Sequence, residues 1–192
     1  MQNLDRSRTA LLVMDLQNDI VAMLGAAAAP LLDVTATLVA AARAAGVPVI
    51  YVVVGFRPGY PELSQNNATF SAVAKTGRFV GVGAADVAPA VAPQGNEIVV
   101  VKHRVSALHG TDLDLVLRAQ GRDTLVLCGI ATSGVVLSTT RAAADLDYRV
   151  VIAKDACADR DEEVNRVLLD KVLAHQATVV PAAEVVAALG GA

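Results

Sequence analysis

The chain has 192 residues, with 16 Lys and Arg against 19 Asp and Glu for a net charge of -3; 54% of it is hydrophobic, 18% charged and 3% aromatic, with no Trp. At about 100–200 residues per domain this is one domain spanning residues 1–192, of a size that removes about 70% of its unfolded surface from water. Its mean hydropathy of +0.50 excludes a disordered chain, and the lack of a basic run or of stacking aromatics excludes the usual footprint of a nucleic-acid binder.

Residues 1–10 (MQNLDRSRTA) carry Asp5 and lack the apolar stretch of a secretory signal. The longest uncharged stretch, residues 124–140, contains Gly, Ser and Thr throughout and falls short of the about 20 apolar residues of a spanning helix. A cytoplasmic protein with no membrane partner is expected. Short continuous apolar runs then recur: residues 9–14 (TALLVM), 47–54 (VPVIYVVV), 97–101 (EIVVV), 124–128 (TLVLC), 149–153 (RVVIA) and 177–180 (ATVV). Uninterrupted Val, Ile and Leu is the pattern of strands covered on both faces. Between them, residues 30–45, 112–120, 134–146, 161–175 and 181–189 have helical spacing, the first with Pro30 at its start and Gly46 just past its end. Strands alternating with helices predict a single doubly wound, Rossmann-like α/β domain. Residues 55–96 break the rhythm. They hold most of the prolines and the pair Asn66–Asn67, with a weak helix expected over 63–74, and long irregular insertions of this kind are often functional.

In a parallel sheet, ligands bind beyond the carboxyl ends of the strands, at the switch point in strand order. Three polar features follow predicted strands there: Asp15, Lys102 and the turn Gly129–Gly134. Burial would favour a protonated Asp15 and a nearby Lys the opposite, which poises a carboxyl for proton transfer. Equally, Asp15 could cap a loop and Lys102 be a structural ion-pair partner. In the turn, backbone N–H groups of the following helix would be free for a developing negative charge, although Ser and Thr there are also ordinary caps. Ser133 and Ser138 are minor candidates for a nucleophile. Arg57 and Tyr60, in the irregular loop, and Arg104 are conceivable substrate contacts. His103, His109 and His175 share no metal-ligand spacing, and the two cysteines, Cys128 and Cys157, have neither metal nor disulfide-framework spacing. No metal and no cofactor is expected.

Four segments in order, ALLVMDLQNDI (10–20), VVKHRVSAL (100–108), CGIATSG (128–134) and YRVVIAKDACAD (148–159), together resemble the isochorismatase-like, or cysteine hydrolase, superfamily over residues 8–181. The resemblance implies a six-stranded parallel sheet flanked by helices, a cis peptide at Ile130–Ala131 within the turn region Ile130, Ala131, Thr132, Ser133 and Gly134, and a small-molecule hydrolase with an Asp–Lys–Cys triad. The Asp falls on Asp15 and the Lys on Lys102. The Cys position, seventh from Gly129, falls on Val135. Cys128 lies within the predicted fourth strand and Cys157 in the DACAD loop, both more in keeping with small buried apolar residues.

Acyl-enzyme chemistry needs a nucleophile, and residues 54–64 (VGFRPGYPELS) also lack the D-x-H-x-x-H metal site that a resemblance to nicotinamidases would require. The expectation is therefore a hydrolase that uses Asp15 and Lys102 without a thiol. Isochorismatase-type vinyl-ether hydrolysis fits that description, with Asp15 as general acid and Lys102 as the cation for an anionic substrate. The alternative is a catalytically silent member that binds a ligand or partner; a thiol-dependent amidase using another Cys is a distant third. The family's habit and the low charge content both predict a homo-oligomer, dimer or tetramer.

Overall fold

The computed structural model describes residues 4–83 and 86–190. Six parallel strands form one sheet in the order β3-β2-β1-β4-β5-β6, with β1 at Thr9–Met14, β2 at Val49–Val54, β3 at Ile98–Lys102, β4 at Thr124–Ile130, β5 at Arg149–Ala158 and β6 at Thr178–Val180. Helices α1 (Asn18–Val21), α2 (Ala28–Ala44), α3 (Ala68–Thr76), α4 (Leu113–Ala119), α5 (Leu137–Asp145), α6 (Glu162–Val167) and α7 (Ala182–Gly190) connect and flank the strands. The doubly wound α/β expectation holds. Every residue of β1, β2 and β4 is buried, which is why those runs carry no alternation. One apolar layer joins α2 and α7 to one face through Leu38, Val39, Tyr51, Val126, Val185 and Leu189; the other joins α4 and α5 to Leu12, Ile50, Leu125 and Ile152.

The chain runs outward through β1, β2 and β3, then returns to lay β4 against the other edge of β1. The switch point is thus between β1 and β4, and the segments beyond Met14 and Ile130 flank the crevice it creates. Gly129 lets the two strands close there. It pairs with Met14 at φ 143°, and a Cβ on it would stand 2.0 Å from the Met14 carbonyl oxygen.

Several boundaries differ from the sequence expectation. Strand β5 continues five residues past the predicted run, to Ala158, so Cys157 lies in a strand rather than in a loop. Its polar Lys154 and Asp155 stay in register-breaking exposed positions while Ala156 and Cys157 return to the interior, and the Asp155 carboxylate accepts the Ala182 N–H that opens α7. The predicted helix over 134–146 begins earlier, as a π-turn over Thr132–Val136 that feeds α5. In the irregular segment the helix is α3, shifted toward the C-terminus and capped by the Asn67 side chain on the Phe70 N–H. That segment folds back on the strand ends: Ala88 N–H donates to Leu16 O, and Gln17 bridges Val87. Ala84 and Ala85 of it lie outside the described residues.

A further correction concerns apolar length. The helical run Asn18–Ala44, 27 residues, is long and apolar enough by composition to cross a membrane. Counting uncharged residues hid it, because Asp33 splits the run. In the fold it is broken at Gly25 (φ 55°, ψ -125°) and its Leu31, Thr35, Leu38, Val39 and Ala42 are buried.

Replacing Gly129 with Ala is expected to lower the free energy of unfolding by about 3 kcal/mol or more, since both the positive φ and the clash fall on backbone. Urea unfolding of the variant checks this; a loss below about 0.5 kcal/mol, the size of an ordinary surface change, would contradict the close approach of β4 to β1.

Candidate active site

Asp15 ends β1 in the left-handed region (φ 55°), a conformation that Asp tolerates better than most residues. Its N–H still bonds Val52 O, so the backbone leaves the sheet only after this residue. Lys102 ends β3, in register with Val54 of the intervening β2, and only a long side chain can cross that strand to reach Asp15. It does: Nζ lies 2.9 Å from Asp15 Oδ2 and donates also to Arg104 O at 3.2 Å. Asp15 is 6% exposed and Lys102 2%. Gln17 seals the neighbouring end of β2, its amide accepting from Val54 N–H at 2.8 Å and donating to Val54 O at 3.1 Å. It belongs to the MDLQND segment, but nothing in residue type alone marked it as a structural plug.

Asp15 Oδ1 is buried and has no hydrogen-bond partner. Burial pushes the Asp15 carboxyl above its ordinary 3.8, and Lys102, by charge and by hydrogen bond, pulls back less than burial pushes. The carboxyl therefore retains a proton at higher pH than a solvated one.

A cavity of about 310 Å³ opens over this pair. Its wall is mainly apolar, from Ile20, Leu24, Phe70, Phe79, Val105 and Val135, and its polar members include Asp15, Lys102, Ser133, Asp159 and Arg160. A larger polar cleft of about 480 Å³ lies at the opposite end of the sheet, but its one carboxylate, Glu97, is tied to Arg43 at 2.8 Å, and it offers no pair poised for proton transfer.

The turn after β4 contributes Ile130, Ala131, Ser133 and Gly134 to the cavity, while Thr132 is buried with its hydroxyl on Asn165 Oδ1 of α6 at 2.6 Å. The Ile130–Ala131 peptide is cis. The N–H groups expected to be free here are partly committed. Ser133 N–H donates to Asp159 Oδ2 at 2.7 Å, and Gly134 N–H to Ala131 O at 3.0 Å. The extension of β5 is the cause, since it delivers Asp159 to the turn.

Val135 is 2% exposed and forms part of the cavity wall beside Asp15 and Lys102. Neither cysteine lines the cavity. Cys128 is buried in β4 with its Sγ on Leu12 O, and burial pushes its thiol well up; burial likewise pushes the Cys157 thiol up to about 12. Ser138 lines a different surface hollow. The three proposed substrate contacts also lie elsewhere. Arg57 is exposed and paired with Glu62 at 2.7 Å, the Tyr60 hydroxyl donates to Arg78 O, and Arg104 donates to the Glu62 and His103 carbonyls. Asp159 and Arg160, which the sequence reading did not single out, are in the cavity instead. Among the described residues no group of His, Cys, Asp and Glu could hold a metal.

A parallel α/β sheet with a desolvated carboxyl–ammonium pair in an apolar cavity at its switch point makes a candidate small-molecule site. Residues 9–184 match the isochorismatase domain, and the chain belongs to the isochorismatase family. It is 34% identical over 197 residues to the uncharacterized isochorismatase family protein YecD of Escherichia coli O157:H7, covering 98% of this chain and 100% of that one. It is 36% identical over 170 residues to the ureidoacrylate amidohydrolase RutB of Azorhizobium caulinodans, covering 77% and 75%. A cysteine hydrolase from Pseudomonas syringae pv. phaseolicola 1448A superposes with a TM-score of 0.89 at 28% identity, covering 98% of this chain and 95% of that one. This is a family of hydrolases, and the chain is an enzyme of that class.

The buried pair sets an expectation for stability. Lys102→Met strands the carboxylate and is expected to cost about 3–5 kcal/mol at pH values where Asp15 is ionised, and less as pH falls and Asp15 takes a proton. The Asp15→Asn/Lys102→Met double variant should lose less than Lys102→Met alone at neutral pH. Urea titrations of wild type, the two single variants Asp15→Asn and Lys102→Met, and the double variant test this; strictly additive losses would show that the two groups are not coupled.

Proposed function

We propose that this hydrolase works without a covalent thiol intermediate, with Asp15 as general acid, and that its reaction is vinyl-ether hydrolysis of the isochorismatase kind. The observation that carries this reading is Asp15 itself: buried, raised in pKa, with Oδ1 unpartnered, and lining a cavity whose wall has Val135 and no thiol. The commitment of Ser133 N–H to a carboxylate supports it too, because a donor already held by Asp159 is not available to a tetrahedral oxyanion.

In the proposed step, the Asp15 carboxyl gives its proton to the terminal alkene carbon of an enol ether. The ether oxygen's electron pair stabilises the oxocarbenium ion that forms. Water then adds to the cationic carbon and loses a proton, which returns the carboxylate to its acid form, and the hemiketal collapses to a ketone and an alcohol. Lys102 Nζ, 2.9 Å from Oδ2, stabilises the carboxylate as the proton departs. That role differs from holding a substrate anion, for which the ammonium is too enclosed and already paired. The apolar wall disfavours the ionised acid beforehand and so maintains its strength as a donor. A silent binding protein fits less well, since the cavity reaches Asp15 and Val135 forms its wall rather than filling it.

Following isochorismate by NMR is the direct test. Wild type is expected to release product and Asp15→Asn to lose about 100-fold or more of the rate, the contribution typical of a positioned acid. Equal turnover by the two proteins would refute the role of Asp15. Activity should fall as pH rises through the Asp15 pKa, which lies above 3.8, because the protonated form is the reactive one.

Iodoacetamide should leave wild-type turnover unchanged, both thiols being enclosed and raised in pKa. A Val135→Cys variant should gain one alkylatable thiol, read by mass spectrometry, while Cys128 and Cys157 stay unmodified. Alkylation of either native cysteine with loss of activity would return the reading to a thiol hydrolase.

A further inference from the structure

We propose that Arg160 is the specificity residue of this site, holding an anionic group of the substrate at the mouth of the cavity while the reacting group lies against Asp15 Oδ1. This rests on the hydrolytic reading of the cavity and adds to it the orientation and charge of what binds.

The inference comes from accounting for the charged groups of the cavity. Lys102 is spent on Asp15 and on the Arg104 carbonyl. Asp159 accepts two backbone N–H groups, Ser133 at Oδ2 (2.7 Å) and Arg160 at Oδ1 (2.8 Å). The Arg160 guanidinium, by contrast, touches only the Met23 thioether sulfur, a weak acceptor. Among the described residues no carboxylate lies within ion-pair distance of it.

The other arginines near this end of the sheet are engaged. Arg57 pairs with Glu62, Arg78 with Asp19, and Arg104 with two carbonyl oxygens. A guanidinium presents five donors in a planar fork suited to a carboxylate, and Arg160 leaves that fork unused at the rim of an apolar hollow.

The position is also held in place. Asp159 is anchored to the turn after β4, and the next residue but one, Asp161, caps α6 by accepting from Glu163 and Val164 N–H. The Arg160 backbone is thus fixed between two anchored carboxylates while its side chain lies exposed at the lip. The cavity lining then offers two polar groups without an opposite charge to spare, Asp15, whose buried Oδ1 has no partner, and the exposed Arg160 guanidinium at the rim, with Ile20, Leu24, Phe70 and Val135 among the apolar residues between. A ligand that satisfies both is a small, largely apolar molecule with one anionic group.

Isothermal titration with benzoate and cyclohexanecarboxylate, each against its neutral amide, tests the proposal without requiring turnover. Wild type is expected to hold at least one carboxylate about tenfold or more tightly than the matching amide, with the preference shrinking as salt is added. Arg160→Gln should remove that preference and leave amide binding unchanged, while Arg160→Lys retains part of it. No preference in wild type, no binding of either carboxylate, or equal weakening of acid and amide by Arg160→Gln would each overturn it. Because the readout is binding, a failure of Asp15-dependent hydrolysis would sink the acid mechanism and leave the Arg160 result to stand or fall by itself.

Discussion

Removing a carboxylate and an ammonium from water together is the constraint on which the working end of this protein depends. Each ion alone would cost several kcal/mol to bury, so the pair exists only where the fold brings its two members within hydrogen-bond distance. That requires β1 and β3 to end at matching heights on either side of β2, and the register does this: Met14 pairs with Val52, and Lys102 with Val54. The left-handed turn at Asp15 and the Gln17 amide clasping Val54 belong to the same arrangement. One lets the chain leave the sheet beside the pair; the other satisfies the last peptide of β2 so that the neighbouring backbone can stay dry.

The pair is incompletely compensated, and on the proposed reading that incompleteness carries the chemistry. Lys102 answers one carboxylate oxygen and leaves Oδ1 without a partner. A fully satisfied carboxylate would be a weak base held in its ionised form; one with an empty, desolvated oxygen keeps its proton to higher pH than a solvated one. Enclosure by apolar side chains, Val135 among them, maintains the shift, and on the proposed reading a thiolate at that position would have brought a second negative charge. On the proposed reading the same substitution that removes a nucleophile also strengthens an acid.

The sheet was legible in the sequence because continuous Val, Ile and Leu runs have few other uses in a chain with short helical segments between them. Asp15 and Lys102 were legible because strand-end polar residues are conspicuous after such runs. What was not legible depends on how far an element continues. In β5 the exposed pair Lys154–Asp155 looks like the end of a strand, yet the strand resumes at Ala156 and carries Asp159 and Arg160 into the cavity. The irregular loop misled in the opposite sense. Its composition pointed to Arg57 and Tyr60 as contacts, but local partners, Glu62 and the Arg78 carbonyl, engage them within the loop. Its contribution to the cavity is apolar, through Phe70 and Phe79, residue types that look like core in any sequence.

Val135 and Asp159 are better understood together than apart. A thiol at position 135 would need a vacant N–H nearby to receive the oxyanion of an acyl transfer, and one N–H of the turn, that of Ser133, is held by Asp159. The carboxylate gains two charge-assisted hydrogen bonds there, from Ser133 and Arg160, so displacing it has a cost of its own. On the proposed reading, a thiol alone would still meet a turn whose Ser133 N–H is already held by a carboxylate. Asp159 has a second effect. By tying the end of β5 to the turn after β4, it fixes the backbone from which Arg160 extends over the cavity mouth. The carboxylate that holds the turn thus also positions the cation proposed to select substrates.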